Sequence, residues 1–277
     1  MYEPYLTNGK QLNFDKPQVM GIINLTPDSF YDGGKYHSLT SILNDVEQKI
    51  KDGATIIDIG VASSKPNATV LSTEEEISRL TDPLKAIRET FPYILISIDT
   101  YHAKVAEFAV GMGADIINDI SAGEMDTDML PFMAKCQLPY VIMHMQGTPQ
   151  TMQQNPQYNN VANDVLVFFK QKTEQCKALG IKKLIIDVGF GFGKTTEHNF
   201  QLLKQLSDFN ALNFPLLVGV SRKSMIYKTL NITSAEALNG TTVLNTLALQ
   251  QGASILRVHD VKEAAEAIEL VTCYGKA

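Results

Sequence analysis

Positive charge is the first thing this chain is short of. It sets 24 Lys and Arg against 30 Asp and Glu, for a formal net charge of −6. That balance argues against a general nucleic-acid or anionic-membrane binder, while leaving room for a local basic pocket for a small anion. Cysteine is scarce as well. Cys136, Cys176 and Cys273 are an odd count with no close metal-type spacing, which reads as reduced thiols in a cytoplasm and not as a disulfide frame. No apolar run approaches the roughly 18 residues of a membrane helix, and Met1-Tyr2-Glu3-Pro4 lacks the basic start and apolar core of a signal peptide. His37, His102, His144, His198 and His259 form no His-x-x-x-His ladder, which argues against a tightly held transition metal. What is there is an ordinary globular composition, 44% hydrophobic and 19% charged over 277 residues. Single α/β barrels commonly reach about 250 residues, so one domain over 1–277 suits the length.

The stretch from Val19 to Gly34 anchors the reading. A short apolar run, Met20 to Leu25, has the pattern of a strand buried on both faces. It breaks at Thr26-Pro27-Asp28, where proline offers no ladder donor, and a polar loop runs to Gly33-Gly34. Asn24 therefore stands at the carboxyl end of a buried strand. Seven further runs follow, 55–60, 94–99, 115–119, 140–144, 184–187, 216–220 and 254–259, each with polar residues at or near its end, such as Asp58 in the first and Ser221 after 216–220. Helical segments lie between them, including 38–52, with Ile42, Val46 and Ile50 on one stripe, and a helix to about 90 opened by the capping box Ser72/Glu75. Eight alternations predict parallel strands with crossover helices, hence a closed (β/α)8 TIM barrel. An open doubly wound sheet is the runner-up, but no Gly-x-Gly-x-x-Gly follows the first strand. Asn8-Gly9, between Tyr5-Leu6 and Leu12-Phe14, predicts a short N-terminal hairpin closing the bottom. Gln146 to Gln157 reads as a long, mobile polar loop.

In such barrels the chemistry sits at the carboxyl ends of the strands. The polar residues there are Asn24, Asp58, Asp99, Asn118, Asp119, His144, Asp187, Ser221, Arg222, Lys223, Arg257 and His259. Strand alternation lets only about half of them meet in one pocket. Asp99, Asn118 and Asp187 offer acceptors and an amide to a flat, donor-rich edge, and a guanidine-like heterocycle fits because one carboxylate accepts two parallel N–H bonds. Asp99-Thr100 equally suits a cap for the helix near His102. Ser221-Arg222-Lys223 and Arg257-Val258-His259 follow the last two strands, where barrels often bind phosphate; the alternative is a solvated basic turn. In Asp187 to Lys194, alternating glycines let backbone approach a ligand, and Phe192 could stack on a flat ring. Met143 is a further flat-ring contact, while a lone histidine such as His144 reads as structural.

These motifs resemble a known family. Met20-Gly21-Ile22-Ile23-Asn24-Leu25-Thr26-Pro27-Asp28-Ser29-Phe30 with Asp32-Gly33-Gly34 looks like the first signature of the dihydropteroate synthases. Asp58-Ile59-Gly60 with Ser63-Ser64-Lys65-Pro66 is similar to the second, and Ser97 to Thr100, Ile117 to Asp119, Asp187 to Lys194, Ser221 to Lys223 and Arg257 to His259 continue in order. The resemblance covers about residues 10–275. It implies a barrel enzyme of folate biosynthesis, usually a homodimer and a sulfonamide target. Such an enzyme joins p-aminobenzoate to 6-hydroxymethyl-7,8-dihydropterin diphosphate with Mg²⁺ present, giving dihydropteroate and pyrophosphate.

Carried over by position, the resemblance implies that Asp99, Asn118, Asp187 and Lys223 bind the pterin, with Met143, Phe192 and Gly219 around its ring. Asn24, Arg257 and His259 would hold diphosphate, with Asn24 on the metal. Ser64, Lys65, Pro66, Ser221 and Arg222 would shape the p-aminobenzoate site, and Asp28, Phe30 and Asp32 belong to a mobile first loop. Asp99, Lys223 and Arg257 would carry the catalysis. The implied mechanism is dissociative: diphosphate leaves, and the neutral aniline nitrogen attacks the resulting carbocation. Three positions depart from the family pattern, with Val61 for a glycine, Lys65 for an arginine and Val188 for a proline. Two relations of the same kind compete: a pterin methyltransferase with a corrinoid partner, and a non-catalytic pterin-binding paralogue.

Overall fold

The apolar runs read from the sequence become eight parallel strands because each is buried on both faces and has a helix to return over it. A computed structural model describes residues 2–25, 38–61 and 71–277. Two short strands come first, β1 (Tyr5–Thr7) and β2 (Lys10–Leu12), followed by β3 (Gln18–Asn24), β4 (Ile56–Gly60), β5 (Leu95–Asp99) and β6 (Ile116–Asp119). The set is completed by β7 (Tyr140–Met143), β8 (Leu184–Asp187), β9 (Leu216–Val218) and β10 (Ile255–Val258). Strands β3 to β10 pair in order and β10 returns to β3, so the barrel closes. The helices are α1 (Leu39–Lys51), α2 (Thr73–Thr90), α3 (Ala103–Gly111), α4 (Met129–Cys136), α5 (Val161–Ala178) and α6 (Thr196–Lys204), then α7 (Ser224–Leu230), α8 (Leu238–Gln250) and α9 (Val261–Tyr274).

Local chemistry sets the helix starts. Ser72 and Glu75 form the expected reciprocal box at α2, and Thr195 with His198 does the same at α6. Between β9 and β10 the chain makes two helices where the sequence suggested one, since Asn231, at φ 54°, ends α7 in the left-handed region.

The hairpin does close the bottom. Asn8 (φ 45°) and Gly9 (φ 75°) form its two-residue turn, with Thr7 opposite Lys10. Leu12 and Phe14 then join Met20, Ile56, Leu95, Ile116, Val141, Ile185, Leu217 and Ile255 in one buried cluster, which takes one residue from every barrel strand. Polar bonds fix the plug: Thr7 Oγ1 donates to Asp115 O (2.6 Å), Tyr5 OH to Leu184 O (2.9 Å), and Lys10 Nζ pairs with buried Asp115 (2.8 Å). The other strand face packs against the helices in a second, larger core.

Candidate active site

Side chains alternate along a strand, so the apolar floor settles which residues above it face inward. Two positions beyond the floor come Ile22, Asp58, Ser97, Asn118, Met143, Asp187, Gly219 and Arg257; beyond these, at the rim, stand Asn24, Gly60, Asp99 and His259. Every pterin residue named above on a strand, together with Gly219 just past β9, thus shares one lumen. Opposite parity sends Val61 and Val188 into the helix-side core, so these two departures do not reach the pocket. Asp119 also faces outward, accepting from Tyr140 OH (2.6 Å), Ser121 N (2.7 Å) and Gly123 N (2.7 Å). His144 lies against Phe168 on the same outer side.

Asp58 is the residue whose importance the sequence reading missed. It is fully buried and accepts from Arg257 Nε at 2.6 Å and from Asn118 Nδ2 at 3.3 and 3.4 Å. Arg257 Nη2 reaches Asp99 at 2.6 Å. One guanidinium is therefore stretched between two carboxylates, and the amide of Asn118 is oriented by one of them. A carboxylate inside an otherwise apolar strand, Ile56-Ile57-Asp58-Ile59, is the signal that could have raised it. Asp99 is not the cap of α3: Thr100 Oγ1 accepts from His102 N (3.1 Å), and Asp126 accepts from Ala103 N (2.7 Å).

Burial and charge perturb this group together. Burial pushes the Asp99 carboxyl up, to about 7, against the pull of Arg257 and with help from Asp58. Asp187 is also raised by burial, opposed by Lys223 and by the Gly189 N–H it accepts at 2.8 Å. Burial lowers Lys223 to about 8, with Asp187 resisting. For Arg257 burial works downward, but Asp58 and Asp99 outweigh it and hold the guanidinium charged. A Cβ at Gly219 would lie 3.9 Å from both Lys223 Nζ and Arg257 Cβ, so glycine keeps the space between these cations open.

Lys223 Nζ donates to Phe190 O (2.5 Å) and lies 4.8 Å from the centre of the Phe192 ring. The glycines of that loop serve a closer contact than a ligand: a Cβ at Gly189 would strike His144 O, and one at Gly193 would come within 2.6 Å of Gln146 O. The Gln146–Gln157 segment is closed on itself, with Gln146 bonded to the backbone of Gln157 (2.9 and 3.0 Å). Ser221 has inward parity, and its Oγ accepts from His259 N (3.2 Å). Arg222, at φ 53°, turns its guanidinium onto Asp260 (2.8 and 2.9 Å) and the carbonyls of Ser234 and Ala235 (3.1 and 2.6 Å). In this structure it therefore shapes the rim by holding the loop before α8. Asp28, Phe30, Asp32, Ser64, Lys65 and Pro66 lie outside the described residues.

The pterin binding enzyme family model matches residues 20–259. The dihydropteroate synthase of Haemophilus influenzae is 45% identical over 265 residues, covering 95% of this chain and 96% of that protein. The chain belongs to the dihydropteroate synthase family. Solved members of the family share the whole architecture. The Yersinia pestis dihydropteroate synthase, in a sulfonamide drug complex, matches with a TM-score of 0.95 and 41% identity over 99% of this chain and 100% of that one. The Xanthomonas albilineans dihydropteroate synthase with 4-aminobenzoic acid matches at 0.92 and 33% identity over 100% of both chains.

Proposed function

We propose that this chain condenses p-aminobenzoate with 6-hydroxymethyl-7,8-dihydropterin diphosphate, giving dihydropteroate and pyrophosphate. The observation that carries the reading is the inward polar layer. Asp58, Asn118 and Asp187 stand directly on an apolar floor, with Asp99 at the rim above them and two cations, Arg257 and Lys223, beside them. A pterin carries a guanidine-like edge, and Asp187 with Asn118 supplies its acceptors and amide. Met143 and Phe192 would flank the ring. Arg257, His259 and Asn24 would meet the diphosphate.

The C–O bond from the pterin methylene to diphosphate breaks, and its electron pair leaves with the diphosphate. The C–N bond then forms from the aniline lone pair, and one N–H proton is released. Lys223 and Arg257 offset the charge growing on the leaving group, while the carboxylates favour an electron-poor ring. The work is electrostatic and positional. An aniline nitrogen is neutral at pH 7, so no dedicated base is required.

Magnesium fits the donor set in one way. Asn24 offers a neutral oxygen at the rim, and among the described residues no group of three or more His, Cys, Asp or Glu could hold a metal. That suits a hard cation arriving with the diphosphate and held mainly by phosphate and water oxygens; once bound it would neutralise part of the leaving-group charge.

A homodimer is supported by exposed apolar residues on neighbouring helices, Leu230 on α7, Val243 and Leu247 on α8, and Leu270 and Tyr274 on α9. A cytoplasmic location is supported by three free thiols. No described helix is long and apolar enough to cross a membrane. Purified chain given both substrates and Mg²⁺ should release dihydropteroate and pyrophosphate in equal amounts. Pterin binding without product would leave a non-catalytic paralogue instead.

A further inference from the structure

Lys194 is 3% exposed, yet its ammonium has a full set of partners. Nζ donates to Gly189 O (2.9 Å), Phe192 O (3.0 Å) and His144 O (3.2 Å), and it lies 3.0 Å from His144 Nδ1. Burial, with Lys194 adding to it, pushes His144 down to about 3, and burial also lowers Lys194 itself to about 7 against the pull of Asp187. The imidazole is therefore neutral, and its Nδ1 can accept from Nζ. The arch from Gly189 to Lys194 is bonded throughout. Besides the Lys194 contacts, Phe190 O accepts from Lys223 (2.5 Å), Gly191 O from Gln153 (2.6 Å), Gly193 O from Tyr158 OH (2.7 Å) and Lys194 O from Asn199 (3.5 Å). Gly191 N in turn donates to Asn199 Oδ1 at 2.7 Å. Six successive carbonyls thus meet side-chain donors, and Lys194 is the donor that bonds the arch at two points and ties it to the end of β7.

We propose that Lys194 is a positioning residue for the pterin pocket. By fixing the arch against His144, it holds the Phe190 carbonyl and the Phe192 ring where they aim Lys223 at the pterin. The inference rests on the reading that Lys223 and Phe192 face that ring. Lys194 touches no reacting group itself and acts through Lys223 and Phe192.

The test uses the full-length chain with Lys194→Met, which keeps the unbranched stem as far as Cε and removes every side-chain donor. Isothermal titration with 6-hydroxymethylpterin should show binding weakened by about 10- to 100-fold, since two arch carbonyls lose their tie, while KM for p-aminobenzoate stays within about 2-fold. In a double-mutant cycle, Lys194→Met and Lys223→Met together should weaken pterin binding by clearly less than the product of their separate fold-losses, because much of the first residue's effect passes through the second. Unchanged pterin affinity in Lys194→Met, equal losses for both substrates, or additive losses in the cycle would each overturn the proposal. Normal pterin binding by Lys223→Met would refute the pocket reading itself, a result distinguishable from these. Should Lys194→Met fail to fold, Tyr158→Phe loosens the same arch by one bond. A pterin-selective loss of about 3- to 10-fold is then expected, and no selective loss overturns the inference.

Discussion

Replacing Asp58 by asparagine removes one negative charge from the floor of the pocket and changes the shape hardly at all. Two consequences follow from its partners. The first is stability. Arg257 loses one of two anionic partners, and the new amide can still accept from Nε through its oxygen. Breaking a buried pair outright costs about 3–5 kcal/mol, and a hydrogen bond to a charged group is worth about 1.5–3 kcal/mol. With Asp99 still 2.6 Å from Nη2, the loss should fall at about 2–3 kcal/mol, measured from urea unfolding at pH 7.5. The second consequence is pH dependence. Asp58 helps raise Asp99 to about 7, so neutralising it leaves Arg257 to pull Asp99 down. On the proposed reading the pterin is bound by ionised Asp99, and kcat/KM for the pterin diphosphate should then rise as pH rises through that value. In Asp58→Asn the acid limb should move to lower pH, on the order of one unit. The substrate phosphate titrates identically with both proteins and cancels in the comparison. A variant as stable as the parent, with its acid limb unmoved or shifted to higher pH, would refute the hub role.

Three further outcomes can be checked. Lys223 is lowered to about 8 and acts as a cation, so kcat/KM should fall as pH rises through that value, and Lys223→Met should abolish this alkaline limb while lowering the plateau. Arg257→Gln should weaken binding of the pterin diphosphate far more than binding of pteroic acid, which lacks phosphate; equal losses by titration calorimetry would confine Arg257 to its bonds with Asp58 and Asp99. Lys65 offers a point charge where the family pattern has a planar fork, so Lys65→Arg should raise kcat/KM for p-aminobenzoate by about 3- to 30-fold with pterin affinity near normal. Full activity in Lys65→Ala would remove any essential charge from that loop.

Much of the fold was legible because the eight strand runs have polar residues at or near their ends and carry capping boxes or polar turns behind them. The face each residue takes was less so. In a strand buried on both sides, inward and outward positions are equally apolar, as in Leu184-Ile185-Ile186, and no alternation marks the lumen. Asp119 and Asn118 are adjacent polar residues at one strand end, and only register places the first under the helices and the second in the pocket; His144, read as structural, lies on the outer side as well.

The partners that give the site its charge pattern are also remote in sequence. Arg257 and Asp58 are 199 residues apart, and Lys194 and His144 are 50 apart; only closure of β10 onto β3 brings the first pair to one level of the barrel. This explains why the pocket residues could be named before the network that holds them. A motif lists groups able to touch a ligand. It does not show that a carboxylate such as Asp58, bonded to Arg257 and Asn118, must be present so that an arginine and an amide point the right way. The same reasoning separates the two polar tiers. Asp58 and Asn118, bonded to each other and shut from water, can keep one geometry through the reaction. Asp99 stands at the rim with its side chain 23% exposed, where an entering substrate can replace water around it and complete the charge pattern that Asp58 and Arg257 have already set.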